Sequence, residues 1–102
     1  MSKRSVFVKS TRDQFRTLKQ YVPVVERVHG SHHPEFYEVR KTFDLITDKV
    51  FGSAQEDFDL SKEFLSLREI TNDYTVPGDV CESYEAVYVL LSEIDRAYQE
   101  QS

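Results

Sequence analysis

Four stretches of this chain repeat apolar residues at intervals of three and four, and this periodicity constrains the fold more than any other feature. Such spacing places the repeated side chains on one face of an α-helix. We therefore predict four amphipathic helices, the first over residues 5–29. The residues on the four faces, in chain order, are Val8, Thr11, Phe15, Leu18, Val22, Val25 and His29; Phe36, Val39, Phe43, Ile46 and Val50; Asp57, Leu60, Phe64, Leu67 and Thr71, widened by Leu65 and Ile70; and Val80, Tyr84, Val87, Leu91, Ile94, Tyr98 and Gln101.

A corner separates the first two predicted helices at residues 28–35. Gly30 suits the positive φ with which many helices end, and Pro34 suits the first turn of the next helix, where its missing N–H is no loss. Inside the first helix, Pro23 removes one backbone hydrogen bond. We expect a bend there and not an end, because the apolar spacing continues beyond it.

The later boundaries carry start and stop signals. The second predicted helix ends at Phe51-Gly52, and residues 53–56 fit a capping box that would begin the third helix after a very tight turn. Residues 72–78 contain turn residues without helical spacing, so a loop is predicted there. The Asp that opens residues 79–82 is followed three positions later by Glu, which predicts the start of the fourth helix.

Short connections make the four helices antiparallel neighbours, so we predict a single all-α domain over residues 1–102, an up-down-up-down four-helix bundle. Hydrophobic residues make up 39% of the chain and charged residues 30%, which is typical of globular proteins. The net charge of -5 opposes binding to a phosphate backbone, so no nucleic-acid partner is expected. No apolar run approaches the roughly 20 residues of a membrane span, and no signal-peptide pattern follows Met1. We therefore expect no membrane partner and a cytoplasmic location.

Three histidines, His29, His32 and His33, lie at the corner. They could together hold a surface zinc, nickel or copper ion, because imidazole suits these metals. The competing interpretation is structural: His29 lies partly buried and donates to the carbonyls that end its own helix. No cysteine or second histidine cluster completes a ligand set, so we prefer the structural interpretation.

Glu56, Asp57 and Asp59 crowd the predicted start of the third helix, where the helix dipole favours acidic residues; a weak divalent-cation site is the alternative. We expect Asp57 to lie at the solvated end or to meet Gln101. Cys81 falls in the predicted first turn of the fourth helix, a place that can activate a thiol. No basic residue lies nearby in sequence, so we interpret it as a packed core or rim thiol. No phosphate-binding glycine loop or nucleophile elbow occurs, and no catalytic residue is predicted.

Two blocks of the sequence are distinctive. The first contains Val24-Val25-Glu26-Arg27-Val28-His29-Gly30 and His33-Pro34-Glu35; the second contains Leu67-Arg68-Glu69-Ile70-Thr71-Asn72-Asp73-Tyr74-Thr75, then Pro77, Cys81, Tyr84 and Tyr88. With these blocks, residues 7–101 resemble the hemerythrin-like domain of the iron–sulfur cluster repair di-iron proteins. The resemblance implies a four-helix bundle in which histidines and glutamates hold two irons. It also implies a role in returning iron to damaged clusters after oxidative or nitrosative stress.

Carried over position by position, the resemblance places the iron ligands at Val8, Val50, Ala54, Asp57 and Gln101. None of these residues is a histidine, and the family's last glutamate would lie past the end of the chain. The chain also lacks the His-x-x-x-Glu stretch and the longer connection that the family has between its second and third helices. The resemblance therefore implies a shortened member with a degenerate metal site.

Two functions are compatible with these features. The first is a non-enzymatic, metal-free relative of the repair proteins, without a cofactor, that serves as a protein-binding or self-association module; aliphatic residues at three former ligand positions favour it. The second is a protein that binds iron or another divalent metal at a rebuilt site and takes part in cluster repair or the stress response. That site would use Glu56, Asp57 and Gln101, or the histidine corner.

Overall fold

The computed structural model describes residues 3–52 and 58–101. Within this part of the chain the fold is all-helical, and the four-helix prediction is confirmed. The helices are α1 (Lys3–His29), α2 (Glu35–Phe51), α3 (Ser61–Ile70) and α4 (Glu82–Gln101). None of these four helices combines the length and the apolar character needed to span a bilayer.

The helices pack antiparallel into an elongated bundle of about 42 × 21 × 19 Å. The ring centroids of Phe7 in α1 and Tyr98 in α4 are 5.9 Å apart at one end. At the other end, His29 lies beside Cys81. α1 also packs on α2, which in turn packs on α3. α1 is continuous through Pro23, so the prediction that the helix does not end there is confirmed.

Buried side chains follow most of the predicted faces. All five residues of the α2 face are buried. Near the start of α1 the buried residue is Phe7, whereas the neighbouring Val8 is only partly buried. Leu65 in α3 is 52% exposed, so the prediction that it widens the apolar face was wrong. It follows Phe64 by one residue, a rotation of about 100°, and this carries it past the edge of the buried face.

α3 begins later than predicted. Residues 58–60 are not helical, so the helix starts at Ser61 and not near Asp57. Asp57 and the predicted capping box at 53–56 lie outside the described residues. The Oδ1 atom of Asp59 accepts a hydrogen bond from the Ser61 N–H at 2.9 Å. The Leu60 N–H donates a hydrogen bond to the Tyr98 hydroxyl at 3.0 Å. These contacts hold the non-helical residues 58–60 in front of α3, so the third helix does not begin directly after the very tight turn that the sequence predicted.

α4 also begins late, at Glu82 and not at the predicted cap Asp79. The Asp79 carboxylate lies 3.2 Å from Nε2 of His33 at the α1–α2 corner. The first helical turn is closed instead by the Cys81 carbonyl, which accepts a hydrogen bond from the Glu85 N–H at 3.1 Å. A tertiary contact has therefore replaced the predicted local cap.

Gly30 is needed at the corner for close packing. The prediction that it has a positive φ was wrong, because none of the glycines in the described residues does. Its N–H continues the helical pattern by donating to the Glu26 carbonyl at 2.9 Å. A Cβ atom here would lie 2.5 Å from that carbonyl oxygen and 2.7 Å from Cζ of Tyr37. Such distances exclude a side chain unless the backbone or the tyrosine ring moves.

Candidate functional site

A cysteine and a histidine meet where the end of α1 approaches the start of α4. The Nε2 atom of His29 lies 3.0 Å from Sγ of Cys81, although 52 positions separate the two residues. His29 is the last residue of α1 and is partly buried, whereas Cys81 is exposed. Cys81 is therefore a rim thiol and not a core thiol. The basic neighbour that its local sequence lacks comes from another helix.

His33 holds the segment before Cys81 against the corner. Its Nδ1 atom lies 3.3 Å from Oε2 of Glu35, and its Nε2 atom lies 3.2 Å from Oδ1 of Asp79. The His33 side chain is 13% exposed and that of Asp79 72%, so the histidine forms the inner part of this contact. Because Asp79 precedes the cysteine by two residues, the contact positions the thiol over α1.

Two buried tyrosines form the floor beneath the histidines. The Tyr84 ring meets the rings of His29 and His33 edge-on, with both centroid distances at 5.4 Å. One helical turn later, the Tyr88 hydroxyl lies 3.1 Å from that of Tyr84. Burial raises the pKa of Tyr84 and that of Tyr88, so both hydroxyls stay protonated at neutral pH. The floor orients the imidazoles without adding charge.

A left-handed turn after α3 leads the chain toward the cysteine. Asn72, Asp73 and Tyr74 have φ values of 51°, 58° and 61°. Successive left-handed residues other than glycine are unfavourable and require support from their surroundings. Part of this support comes from Thr71, whose hydroxyl accepts a hydrogen bond from the Tyr74 N–H at 2.8 Å and whose carbonyl accepts one from the Thr75 N–H at 3.0 Å. The loop prediction for residues 72–78 is confirmed.

A buried carboxylate, Asp95 in α4, anchors this turn. It accepts hydrogen bonds from Arg68 at 2.9 and 3.1 Å, from the Tyr74 hydroxyl at 2.7 Å and from Gln99 at 3.2 Å. Burial alone would raise the pKa of Asp95, but the bonds from Arg68, Tyr74 and Gln99 outweigh it and the pKa is lowered. Our sequence analysis missed this residue. The available signal was its spacing of four from the buried Leu91, which places a carboxylate on the core face.

The three corner histidines do not form one cluster. His29 and His33 have ring centroids 6.5 Å apart. His32 is exposed and has its Nδ1 atom 3.2 Å from the Ser31 hydroxyl. Across residues 3–52 and 58–101, no three His, Cys, Asp or Glu side chains come together in a way that could hold a metal ion.

Three of the positions to which the resemblance assigns iron ligands lie at the opposite end of the bundle. Val8 is partly buried near the start of α1, Val50 is buried near the end of α2, and Gln101 is the last residue of α4. Ala54 and Asp57 lie outside the described residues. By topology, the start of α1 and the ends of α2 and α4 share this end of the bundle.

Aromatic rings fill the core at that end. Phe7 is fully buried and meets the rings of Phe15, Phe58 and Tyr98 edge-on, with centroid distances of 6.1, 5.9 and 5.9 Å. Phe64 lies 5.4 Å from Tyr98. In the acidic cluster, Asp59 accepts the backbone hydrogen bond that precedes α3, and Glu56, like Asp57, is outside the described residues. Hydrogen bonding to Ser61 lowers the pKa of Asp59.

A shallow groove of about 380 Å³ opens between α1 and the end of α2. Its walls combine basic and aromatic side chains, although the chain as a whole carries a net charge of -5. The Lys19 ammonium lies 4.3 Å from the centroid of the Phe51 ring. The lining residues are Arg12, Phe15, Arg16, Lys19, Gln20 and Phe51.

Comparison with known proteins finds similarity to one group of relatives. The chain is 23% identical over 128 aligned positions to the iron-sulfur cluster repair protein ScdA of Staphylococcus haemolyticus strain JCSC1435, covering 95% of this chain and 58% of that protein. It is 20% identical over 124 positions to the protein of the same name from Staphylococcus epidermidis strain RP62A, covering 91% of this chain and 55% of that protein. No protein-family model and no solved structure matches the chain.

The chain spans a little over half the length of these relatives. The 128 aligned positions exceed the 102 residues of this chain, so the relative has additional residues within the matched region. The similarity supports a distant relationship to the iron–sulfur cluster repair proteins.

Proposed function

We propose that this chain is a non-enzymatic, metal-free relative of the cluster repair proteins and acts as a protein-binding module. The observation that carries the proposal is the chemistry at the end of the bundle where the resemblance places iron ligands. A di-iron centre needs oxygen and nitrogen donors. Val8 and Val50 offer only carbon at two of the former ligand positions, and Val50 is buried.

The surrounding core supports the same proposal. Phe7, Phe58 and Tyr98 pack against one another in edge-to-face contacts at this end. Protein interiors are close-packed, and a charged ion enters an apolar core only with ligands that replace its water. Rebuilding a metal site here would therefore require displacing rings as well as adding donors.

The groove between α1 and α2 is the surface that we assign to binding. Arg12, Arg16 and Lys19 make it basic, and the ring of Phe51, which is 43% exposed, adds an apolar contact. Charge complementarity favours an acidic partner segment that carries an aromatic or aliphatic side chain. The partner we propose is thus an acidic peptide segment of another protein.

Metal analysis of protein purified without an affinity tag tests the metal-free part of the proposal. We expect far less than one iron per chain, both as purified and after anaerobic ferrous titration followed by oxygen exposure. Stoichiometric iron with near-ultraviolet absorption from an oxo bridge would instead establish the alternative, a metal protein with a rebuilt site. Because this measurement does not involve the groove, it tests metal binding independently of partner binding.

Fluorescence anisotropy with a labelled glutamate-rich peptide containing one phenylalanine tests the binding part. We expect Arg12→Gln combined with Arg16→Gln to weaken binding about 5- to 30-fold, since exposed charge pairs contribute up to about 1 kcal/mol each. Lys41→Gln combined with Lys62→Gln removes the same charge from exposed positions outside the groove and should have little effect. Equal affinities for the two double variants would contradict the assignment, and sedimentation velocity would show whether a second copy occupies the groove instead.

A further inference from the structure

We propose that Cys81 is a modification site whose thiol exchanges with low-molecular-weight disulfides, with His29 as the base that takes its proton. This inference concerns the end of the bundle away from the proposed binding groove. Its outcome is therefore independent of peptide binding in the groove and of metal binding at the Val8–Val50 end.

The geometry combines a nucleophile, a base and access. Cys81 is exposed, so a small reagent can reach Sγ. The His29 Nε2 atom lies 3.0 Å away, within reach of the thiol proton. The thiol immediately precedes α4, where the unpaired N–H groups of the helix favour a negative sulfur.

The histidine is held in position by its neighbours. Its ring meets that of the buried Tyr84 edge-on at 5.4 Å, with an interplanar angle of 89°. The His33–Asp79 contact at 3.2 Å fixes the backbone two residues before the cysteine. Neither partner of the Cys81–His29 pair therefore depends on a free loop for its placement.

The chemical step is an exchange between a thiol and a disulfide. The Sγ proton moves to Nε2 of His29, and the resulting thiolate attacks one sulfur of the small disulfide. A new bond forms between Sγ and that sulfur while the original S–S bond breaks. The other half leaves as a thiolate and takes the proton back from the His29 imidazolium. Cys81 is oxidised to a mixed disulfide, and the departing half of the reagent is reduced to a thiol.

The charges around the pair select among such disulfides. The Cys81–His29 pair is surrounded by titratable groups from three elements. His33 contacts the carboxylates of Glu35 and Asp79, and one turn back in α1 Glu26 is paired with Arg40. The start of α4 adds Glu82 and the neutral Tyr84. Carboxylates thus outnumber the cations near the thiol. A cationic disulfide such as cystamine should react faster than the anionic glutathione disulfide, and salt should reduce the difference.

Mass spectrometry of the full chain follows the reaction directly, because Cys81 is the only cysteine. With cystamine at about pH 6.5, we expect His29→Gln to lower the rate of adduct formation about tenfold. At about pH 9.5 the rates of wild type and variant should converge, since an ordinary thiol with a pKa of about 8.5 ionises there without a base. His32→Gln removes an imidazole from the same corner without touching the thiol, and it should react like the wild type.

Two further measurements keep the test independent of the stability of the variant. At about pH 6.5, wild-type protein unfolded in urea should react with cystamine more slowly than folded wild type, at the rate of the His29→Gln variant. Cystamine should also react faster than glutathione disulfide with the folded wild type at low salt. Equal rates for wild type and His29→Gln at about pH 6.5, or equal rates for folded and unfolded wild type, would overturn the proposal.

Discussion

Arg68 in α3 donates two hydrogen bonds to Asp95 in α4, from Nε to Oδ2 at 2.9 Å and from Nη2 to Oδ1 at 3.1 Å. The Tyr74 hydroxyl adds a third bond to Oδ2 at 2.7 Å. One buried carboxylate therefore joins α3, α4 and the left-handed turn between them. Because α3 otherwise packs mainly on α2, this contact is a principal link between the third and fourth helices.

Replacing Asp95 with Asn should destabilise the protein by about 2–4 kcal/mol. The amide keeps the size of the side chain but leaves the Arg68 guanidinium without its charged partner. Urea denaturation would measure the change in the free energy of unfolding. Asp44→Asn is the matched control, because that carboxylate is 59% exposed and lies 3.7 Å from Arg40; we expect a change within about 0.5 kcal/mol. A loss below about 1 kcal/mol for Asp95→Asn would contradict the prediction.

The same carboxylate predicts a pH dependence of stability. The hydrogen bonds to Asp95 hold its pKa below the usual value in the folded state. Its contribution should therefore be fully present above the unfolded value of about 3.9 and be lost as the pH falls toward the lower folded value. The measurement is the difference in unfolding free energy between wild type and Asp95→Asn at a series of pH values. A difference that stays constant from neutral pH to about pH 3 would show that Asp95 is not the group responsible.

Truncating buried side chains in α2 and α4 should destabilise the protein. Phe43 and Leu91 are 3% and 0% exposed, and replacing either with Ala should destabilise by about 2–5 kcal/mol through lost burial and a residual cavity. Leu65→Ala serves as the control, since that side chain is 52% exposed and should change stability by less than about 0.5 kcal/mol. Losses below about 1 kcal/mol at both buried sites would mean that the helix faces are wrongly assigned.

Gly30→Ala should destabilise by about 1–3 kcal/mol, because the new Cβ would press on the Glu26 carbonyl oxygen and the Tyr37 ring. Gly78→Ala offers a matched comparison: no atom beyond the two chain neighbours lies within 4 Å of a Cβ built there. That variant should be neutral or slightly stabilising, since alanine restricts the unfolded chain. Thermal unfolding of both variants would check the prediction, and similar melting temperatures would argue against close packing at the corner.

The fold class could be predicted because its signal is local. The apolar period in α2 marks every residue that the structure buries on that face except Thr42, and α1 continues through Pro23 as its spacing indicated. The helix starts were harder to predict. Asp79 does not cap α4 because its carboxylate contacts His33, a residue that comes near only when the bundle forms.

The candidate site likewise combines residues that the sequence indicates with contacts that only the structure shows. Cys81 and His29 could each be singled out from sequence, but nothing local indicates that they meet. The spacing from Leu91 places Asp95 on the core face, but only the structure shows its partners Arg68 and Tyr74.

The sequence by itself determined that the chain forms amphipathic helices with a corner at Gly30, because helical periodicity is a property of neighbouring residues. It also determined that valine occupies two positions to which the resemblance assigns ligands. Only the tertiary structure decided which polar groups became partners. The contacts between His29 and Cys81, and between Arg68 and Asp95, span 52 and 27 positions of the chain. Partners so distant are brought together by the packing of whole helices, which leaves no signal in the residues around either one.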